Sequence, residues 1–434
     1  MMKKLLTAVF LTTLACSLAF ANLTSTTSAP VVADKSVADK PERPVANQAI
    51  PGKPAKKMPI IIPAAPLLDV SAYTLLDADS GDTLAAQDTD KRLEPASLTK
   101  MMTAYVIDQA IANGRIQRDQ LVPISEKAWR MEGSRMFVKV NTEVPVADLL
   151  KGVIIQSGND ASVALAEFIA GTEEAFSDLM NQEAQRLGMT NTHFMNATGL
   201  PDDNHYTTAH DLAILARALI KDFPESYPLY AEKWFSYNNI KQSNRNLLLW
   251  RDNTVDGIKT GHTDAAGYCL VSSAKRGDMR LIAVILGAKS SNARAEQSSK
   301  LLTYGFRFYE THKVYAANTS VSTPRVWMGQ AKQVAVGLND DLYITIPRGE
   351  YSHLSAALNL PDIIKAPVEQ HKIYGNLVLT LDGKTVAEKP LVALESVVKG
   401  GWWKNTQDYI KLSFKKFWDK DEGAGKAEKI ALED

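Results

Sequence analysis

Three short motifs, far apart along the chain and in a fixed order, most constrain how this sequence can fold. Ser97-Leu98-Thr99-Lys100 comes first, Ser157-Gly158-Asn159 follows, and Lys259-Thr260-Gly261 begins an apolar segment. Each motif alone is weak, since Ser-x-x-Lys recurs at 272–275, 396–399 and 413–416. Ser-x-Asn also recurs, at 236–238 and 290–292, but only these members lie in this order at domain-scale spacing, and their chemistry is complementary. We therefore expect a fold that brings three distant segments to one site.

The first motif has the residue types of a serine nucleophile and its base. A serine hydroxyl needs a neighbouring base, and a lysine serves if burial and nearby charge keep it neutral. Residues 94–96 predict a turn that leads into a helix, in which positions three apart share a face. We therefore predict that Ser97 is the nucleophile and Lys100 its base. Unpaired backbone amides at such a helix start can also help to bind an oxyanion.

The second motif lies just before an apolar stretch at helical spacing, residues 161–170. This order predicts a loop that enters a helix. A serine in that loop can relay a proton, and an asparagine amide can hold a substrate carbonyl. Ser157 is therefore predicted to be catalytic, and Asn159 is predicted to bind substrate.

The third motif begins a series of apolar segments, 257–262, 267–274 and 279–287, which predict edge strands joined by short turns. On such a strand Lys259 supplies positive potential for an anionic substrate, while Thr260 faces the cleft and offers its hydroxyl to a carboxylate. The backbone amide of His262 can complete an oxyanion hole. Its ring is expected to have a minor role.

With these motifs the chain resembles the low-molecular-mass penicillin-binding proteins, which are D-alanyl-D-alanine carboxypeptidases of the type-five/six group and serine peptidases of the Ser-x-x-Lys class. The resemblance runs from about residue 70 to residue 417. Three further strings agree with the family: Arg92-Leu93-Glu94-Pro95-Ala96-Ser97, Gly133-Ser134-Arg135-Met136-Phe137 and Asp256-Gly257-Ile258-Lys259-Thr260-Gly261-His262-Thr263. The resemblance implies that Ser97 is acylated and that Lys100 is its base.

The resemblance also implies binding residues outside the motifs. Arg294 and Arg245 fall where the family carries cleft arginines, and Arg294 suits the terminal carboxylate of the substrate because a guanidinium can bind both of its oxygens. Asp211 matches an acidic position near them. The predicted catalytic residues are Ser97, Lys100 and Ser157, and the predicted substrate-binding residues are Asn159, Lys259, Thr260, Gly261, His262, Arg294 and Arg245. No metal ligand and no cofactor is implied.

The implied fold is an α/β (α+β) catalytic domain of the penicillin-recognising serine transpeptidase or β-lactamase type, over residues 67–312. Strand-like segments near both ends of that region enclose several helical patterns, as in a sheet flanked by helices. Residues 313–395 change character, with alternating runs at 342–346 and 376–381 and a turn at Asp382-Gly383. They predict a small β-rich C-terminal domain.

The N-terminal residues predict an exported protein. Residues 1–4 are basic, residues 5–18 are apolar, and Ala19-Phe20-Ala21 has the pattern of a cleavage site, so residues 1–21 are predicted to be a signal peptide. Residues 22–66 are rich in Ala, Pro, Lys, Ser and Thr and predict a disordered linker. A lipidated Cys16 is the less favoured alternative. After cleavage only Cys269 remains, so no intramolecular disulfide can form.

Residues 396–420 predict an amphipathic helix. Its apolar positions are Trp403, Ile410, Phe414 and Phe417, and the face is expected to be widened by Trp402, Leu412 and Trp418. Six lysines and two aspartates between 399 and 420 give a net charge of +4. This composition suits peripheral binding to an anionic membrane surface, at the periplasmic face of the inner membrane. A helix packed back on the second domain is the alternative, and no function is predicted for the acidic tail, 421–434.

The predicted reaction is removal of the terminal D-alanine from peptidoglycan pentapeptide stems, with covalent binding of penicillins at the same serine. A class A-like β-lactamase is one alternative, although no Glu-x-x-Leu-Asn string follows the second motif. A non-catalytic peptidoglycan-binding scaffold is the other. Lysine plus arginine equals aspartate plus glutamate at 49 each, so the overall charge does not indicate a nucleic-acid partner.

Overall fold

The computed structural model describes residues 62–418 and 428–430. The predicted signal peptide, nearly all of the predicted linker and most of the acidic tail lie outside the described residues. The helices are α1 Lys100–Ala112, α2 Glu126–Arg130, α3 Val146–Lys151, α4 Asn159–Ala170, α5 Glu173–Leu187, α6 Ala209–Asp222, α7 Leu248–Arg251, α8 Ser291–Phe308 and α9 Trp402–Trp418. Single helical turns of other types lie at Ala96–Thr99, Gly152–Gln156, Tyr227–Ala231 and Tyr351–His353.

The strands of the N-terminal part are β1 Ala72–Asp77, β2 Thr83–Gln87, β3 Leu121–Pro123, β4 Glu143–Pro145, β5 Trp234–Tyr237, β6 Ile240–Ser243, β7 Val255–Thr263, β8 Gly267–Arg276 and β9 Met279–Ala288. Those of the C-terminal part are β10 Tyr309–Tyr315, β11 Ser320–Ser322, β12 Val326–Trp327, β13 Val336–Gly337, β14 Leu342–Pro347, β15 Leu354–Asn359, β16 Ile364–Lys365, β17 Ile373–Leu381, β18 Lys384–Ala393 and β19 Glu428–Ile430.

A five-stranded antiparallel sheet in the order β2-β1-β9-β8-β7 lies at the centre of the N-terminal part. The sequence predicted β7, β8 and β9 as edge strands, which is wrong for two of them. Of these three strands only β7 is at an edge of the sheet, because β9 pairs with β8 on one side and with β1 on the other. An edge strand leaves one row of backbone N–H and C=O groups unpaired within the sheet. The strand that carries the third motif therefore has a free edge at which a ligand can bind.

Apolar layers cover both faces of this sheet, as alternation along β9 shows. Val284 and Leu286 pack in one cluster with residues of α1, α4 and α6. Leu281 and Ile285 pack in a second cluster with residues of α8. Successive strand residues point to opposite faces, so a strand apolar at every position is buried on both sides. The expected sheet flanked by helices is confirmed.

The C-terminal part contains a six-stranded sheet in the order β11-β13-β18-β17-β15-β19 and two-stranded sheets β10-β14 and β12-β16, which confirms the predicted β-rich character. The expected turn joins β17 to β18, where Leu381 pairs with Lys384. Asp382 has φ 48° and Gly383 has φ 78°, as a two-residue type I′ hairpin turn requires. Glu428–Ile430 pairs with β15, a strand within the acidic tail that the sequence analysis missed.

Helix α9 contacts the C-terminal part through one narrow side. Asp408, 6% exposed, accepts a hydrogen bond from the backbone N–H of Met328 at 2.9 Å, and Leu412 is 4% exposed. Among the side chains of α9 that the structure describes, those of residues 402–414, the large ones at least half-exposed are Trp402, Trp403, Tyr409, Ile410 and Phe414. The expectation that Leu412 widens this outer face is wrong. Leu412 lies nine residues after Trp403, about two and a half helical turns, so the two side chains point to opposite sides of the helix. Among the described residues, no helix combines the length and apolarity needed to cross a bilayer.

Candidate active site

Ser97 and Lys100 lie where a single 3-10 turn leads into α1. The Lys100 Nζ lies 3.3 Å from the Ser97 Oγ. Ser97 lines a cavity, whereas Lys100 lies beneath it and is 1% exposed. The three-residue spacing of the motif thus places an accessible hydroxyl next to a buried amine.

The hydrogen bonds of Lys100 are compatible with a neutral amine. Its Nζ donates to Asn159 Oδ1 at 2.7 Å and to the backbone carbonyl of Thr198 at 2.5 Å, and neither partner atom can donate in return. A neutral amine has two N–H bonds, so these acceptors use both and leave the lone pair for the Ser97 hydroxyl. Burial, followed by the positive charge of Arg245, lowers the pKa of Lys100 to about 7. Lys100 is therefore able to act as a base near neutral pH.

The loop that supplies the Thr198 carbonyl packs closely against the nucleophile turn. Gly199 has φ 83°, and a Cβ at this position would lie 1.8 Å from the carbonyl oxygen of Ala96. Ala96, directly before Ser97, has φ 48°, a conformation that a Cβ makes unfavourable. Glycine at position 199 is therefore required for this close approach, which brings the neighbouring carbonyl to Lys100.

The second and third motifs meet at a further lysine. Lys259 Nζ donates to Ser157 Oγ at 2.9 Å and to the carbonyl of Thr260 at 3.1 Å. Ser157, at φ 65°, ends the turn Gly152–Gln156 just before α4. Burial, followed by the positive charge of Lys100, lowers the pKa of Lys259 well below its usual value. A hydroxyl next to such an amine can pass a proton between two groups.

A cavity of about 530 Å³ joins the three motifs. The predicted site residues that line it are Ser97, Ser157, Arg245, Thr260, Gly261, His262 and Arg294. The other three, Lys100, Asn159 and Lys259, are 1%, 5% and 3% exposed and connect to the lining residues through the hydrogen bonds above. The structure therefore brings all ten residues of the sequence prediction into one constellation. Lining residues to which the sequence analysis gave no role include Ser134, Ser243 and Tyr268.

Arg245 and Arg294 differ in how their guanidinium groups are used. Arg294 is 5% exposed, and its Nη1 donates to the carbonyls of Gly261 at 3.0 Å and Cys269 at 3.4 Å. Burial lowers the pKa of Arg294 to about 10, so it stays charged at neutral pH. Arg245 is exposed, and among the described residues only Ser134 accepts a bond from its guanidinium, at 2.6 Å. Arg245 therefore keeps more donors for a substrate carboxylate.

Asp211, the acidic residue expected near these arginines, is not among the residues that line the cavity. It is 1% exposed in the first turn of α6. Its Oδ2 accepts bonds from the backbone N–H of Asn191 at 2.9 Å and the hydroxyl of Thr192 at 2.7 Å. These contacts fasten the loop at residues 191–192 to the first turn of α6.

Asp160 organises the loop beside the cavity, and the sequence analysis gave it no role. Its carboxylate accepts hydrogen bonds from the backbone N–H groups of Met136 at 3.0 Å, Phe137 at 2.8 Å and Val138 at 3.2 Å. These bonds hold Phe137 at φ 70°, which is rare for a bulky residue. The same loop carries Ser134, the partner of Arg245. The sequence feature that could have identified Asp160 is its position directly after Asn159 of the second motif.

Replacing Asp160 by asparagine is expected to lower the free energy of unfolding by about 1.5–3 kcal/mol, because the amide cannot accept as many bonds as the buried carboxylate and its NH2 faces N–H donors. Urea unfolding measures this change. Asp203→Asn, at an exposed position, is the matched control and should stay within about 0.5 kcal/mol of the parent. Equal stability of both variants would show that the loop does not depend on Asp160.

The fold and the convergence of the three motifs define a serine hydrolase of the penicillin-recognising class. Residues 61–290 match the D-alanyl-D-alanine carboxypeptidase family, and residues 309–399 match the C-terminal domain of penicillin-binding protein 5. The chain belongs to the D-alanyl-D-alanine carboxypeptidase family.

Individual relatives agree over most of the chain. It is 45% identical over 364 residues to the D-alanyl-D-alanine carboxypeptidase DacA of Escherichia coli, covering 82% of this chain and 90% of that protein. Among solved structures, penicillin-binding protein 5 from Haemophilus influenzae matches with a TM-score of 0.75 and 43% identity over 77% of this chain and 99% of that one. Penicillin-binding protein 6B from Escherichia coli matches with a TM-score of 0.65 and 36% identity over 77% of this chain and 98% of that one. These matches support the carboxypeptidase prediction over the β-lactamase and scaffold alternatives.

Proposed function

We propose that this protein, a D-alanyl-D-alanine carboxypeptidase by family, removes the terminal D-alanine from peptidoglycan pentapeptide stems through an ester on Ser97. The observation that carries this assignment is the Lys100 amine, which donates to two acceptors and lies 3.3 Å from the Ser97 Oγ. Release of D-alanine from a small acylated peptide that ends in D-alanyl-D-alanine tests the proposal, with Ser97→Ala as the inactive comparison.

In the proposed acylation, Ser97 Oγ attacks the carbonyl carbon of the penultimate D-alanine while its proton moves to Lys100 Nζ. The carbonyl oxygen takes up negative charge, which the backbone amides of Ser97 and His262 can stabilise. The amide C–N bond then breaks, and the departing nitrogen receives a proton from Lys100 by way of the Ser157 hydroxyl. Water hydrolyses the ester and restores the hydroxyl. A β-lactam presents an equivalent carbonyl, and opening of its ring gives the same kind of ester.

The free carboxylate of the terminal D-alanine is proposed to bind at Arg245 and Thr260. Arg294 is proposed to support the cavity by donating to the backbone carbonyls of Gly261 and Cys269. Arg245→Gln should lower kcat/KM for an acid substrate about 10 to 100-fold more than for the corresponding amide, because a charge-assisted hydrogen bond contributes about 1.5–3 kcal/mol. Arg294→Gln should affect both substrates to a similar extent, since its donors hold backbone carbonyls. Equal losses on acid and amide in Arg245→Gln would exclude it from carboxylate binding.

We further propose that the mature protein is exported and bound peripherally to the periplasmic face of the inner membrane by α9. Support comes from the outward aromatic face of the helix, with Trp403 72% and Phe414 65% exposed, and from the net charge of +4 over residues 399–420. Buried aromatic area and attraction of lysines to anionic headgroups both favour an interfacial position. Asp408 and Leu412 point the other way and tie the helix to the C-terminal part.

Substituting Trp403, Ile410 and Phe414 together by serine is expected to reduce binding to vesicles that contain anionic lipid by at least about 10-fold, because each lost large side chain removes about 1.5–3 kcal/mol of burial when fully inserted. Vesicle sedimentation measures this loss, and activity on a small soluble peptide should stay unchanged. Trp129→Ser, at an exposed site on α2, is the control and should bind vesicles normally. If the triple variant sediments like the parent, the attachment lies elsewhere, with lipidation of Cys16 the next explanation to test.

A further inference from the structure

The C-terminal part contains a cluster of one histidine and two carboxylates that the proposed reaction does not use. Glu350 and His353 belong to the connection between β14 and β15, and Asp382 lies in the hairpin turn between β17 and β18. The Nδ1 of His353 lies 2.7 Å from Glu350 Oε2 and 3.2 Å from Asp382 Oδ1. The three potential ligand atoms all lie within 4.8 Å of one another.

The polar atoms of this cluster are poorly satisfied by one another. His353 Nδ1 is buried and makes no hydrogen bond of good geometry, although a carboxylate oxygen lies 2.7 Å away. The 2.7 Å contact therefore brings two potential ligand atoms together without satisfying the ring nitrogen by a hydrogen bond. Glu350 is 6% exposed, and a buried carboxylate beside a second carboxylate requires a compensating positive charge. A cation between the three groups would satisfy both conditions.

We propose that Glu350, His353 and Asp382 bind a Zn²⁺ ion that fastens the β17–β18 hairpin to the β14–β15 connection. Imidazole nitrogen and carboxylate oxygen are Zn²⁺ ligands with bonds of about 2.0–2.2 Å, which separate neighbouring ligands of a tetrahedral site by about 3.4 Å. The distances of 2.7 and 3.2 Å reach this value by small side-chain rotations. Asp382 is 64% exposed at its side chain, so water has access to the fourth position. The ion has a structural role here, distinct from the chemistry at Ser97.

The location explains why the ion would stabilise the domain. Both connected segments border the apolar cluster built from β14, β15 and β17, including Ile344, Leu354 and Leu379. A metal bound only by the folded arrangement raises stability by mass action. The ligands come from segments about 30 residues apart in sequence, which do not meet in the unfolded chain.

Titration of ZnCl2 into the full chain, followed by calorimetry at pH 7.5, is expected to show one saturable site per chain and a Zn²⁺-dependent rise in the thermal midpoint. His353→Gln should weaken binding at least about 100-fold and abolish the rise, since even loss of an outer-shell partner costs about 10 to 100-fold. His371→Gln is the matched control: His371 also lies in the C-terminal part, and its Nδ1 contacts Asn339 at 3.0 Å. It should bind Zn²⁺ like the parent.

Asp382→Asn provides a second variant that preserves the turn, because asparagine tolerates a left-handed conformation. It should fold normally and bind Zn²⁺ at least about 10-fold more weakly. The proposal is overturned if the parent shows no saturable binding, or if His353→Gln binds Zn²⁺ as tightly as the parent. Neither readout depends on D-alanine release, so failure of this proposal and failure of the proposed function are distinguishable.

Discussion

Replacing Ser97 by alanine should abolish release of D-alanine, with a loss in kcat of at least about 10⁴-fold and reaching about 10⁶-fold if the remaining cavity residues act only as a unit. The hydroxyl is the only group of Ser97 that can form the ester. The Ser97 hydroxyl contacts the Lys100 Nζ at 3.3 Å, so removing the hydroxyl should change the free energy of unfolding little. A coupled assay of free D-alanine measures the change.

The thermal midpoint of Ser97→Ala should stay within a few degrees of the parent, since the substitution leaves the buried Lys100 with its other two partners. Ser243→Ala, in the same cavity but outside the hydrogen bonds that Lys100 and Lys259 make, is the matched control and should retain most activity. Substantial D-alanine release by folded Ser97→Ala would refute the proposed nucleophile.

Lys100→Met should reduce kcat/KM by roughly 10²–10⁴-fold, the usual contribution of a positioned general base. Methionine has a similar length and is tolerated in a buried position, but it cannot take the Ser97 proton. Rapid mixing with a chromogenic β-lactam isolates acylation from hydrolysis, so the loss should appear in the acylation step. If acylation keeps its rate and only hydrolysis slows, Lys100 acts later than proposed.

The pH dependence of the parent gives an independent check on the same amine. Because the pKa of Lys100 is lowered to about 7 and the neutral amine is the active form, kcat/KM should rise as pH increases through about 7. At pH 6 roughly a tenth of the amine is neutral for such a pKa. Lys100→Met should lose this dependence. A parent profile that is flat between pH 5.5 and 8 would contradict the role.

Local chemistry explains why much of the site was predictable from sequence. Residues three apart at a helix start share a face whatever surrounds them, so the proximity of Ser97 and Lys100 follows from spacing alone. The hairpin at Asp382-Gly383 was predictable for the same reason, because its turn residues determine the local backbone. The convergence of Ser157 with Lys259 is not local; the order and chemistry of the three motifs and the family resemblance implied it.

Features that depend on distant pairing were missed or wrong. The interior positions of β8 and β9 follow from pairing of β9 with β1, about 200 residues earlier in the chain, which no local pattern reveals. The role of Thr198 is carried by its backbone carbonyl, which any residue possesses. Leu412 was placed on the wrong face of α9 because its hydrophobicity was considered without its spacing, which puts it on the side of the helix opposite Trp403. The sequence could not distinguish the roles of Arg294 and Arg245, because the groups that each guanidinium contacts are brought to it by the fold.

The central claim is that Ser97 is the residue that becomes acylated, and mapping the adduct after reaction with benzylpenicillin tests it most directly. Intact-mass measurement of the full chain should show one penicilloyl group, and digestion should place it on the peptide that contains Ser97. The same treatment of Ser97→Ala should give no adduct. An adduct on Ser157 or any other residue of the parent, or a labelled Ser97→Ala protein, would contradict the account.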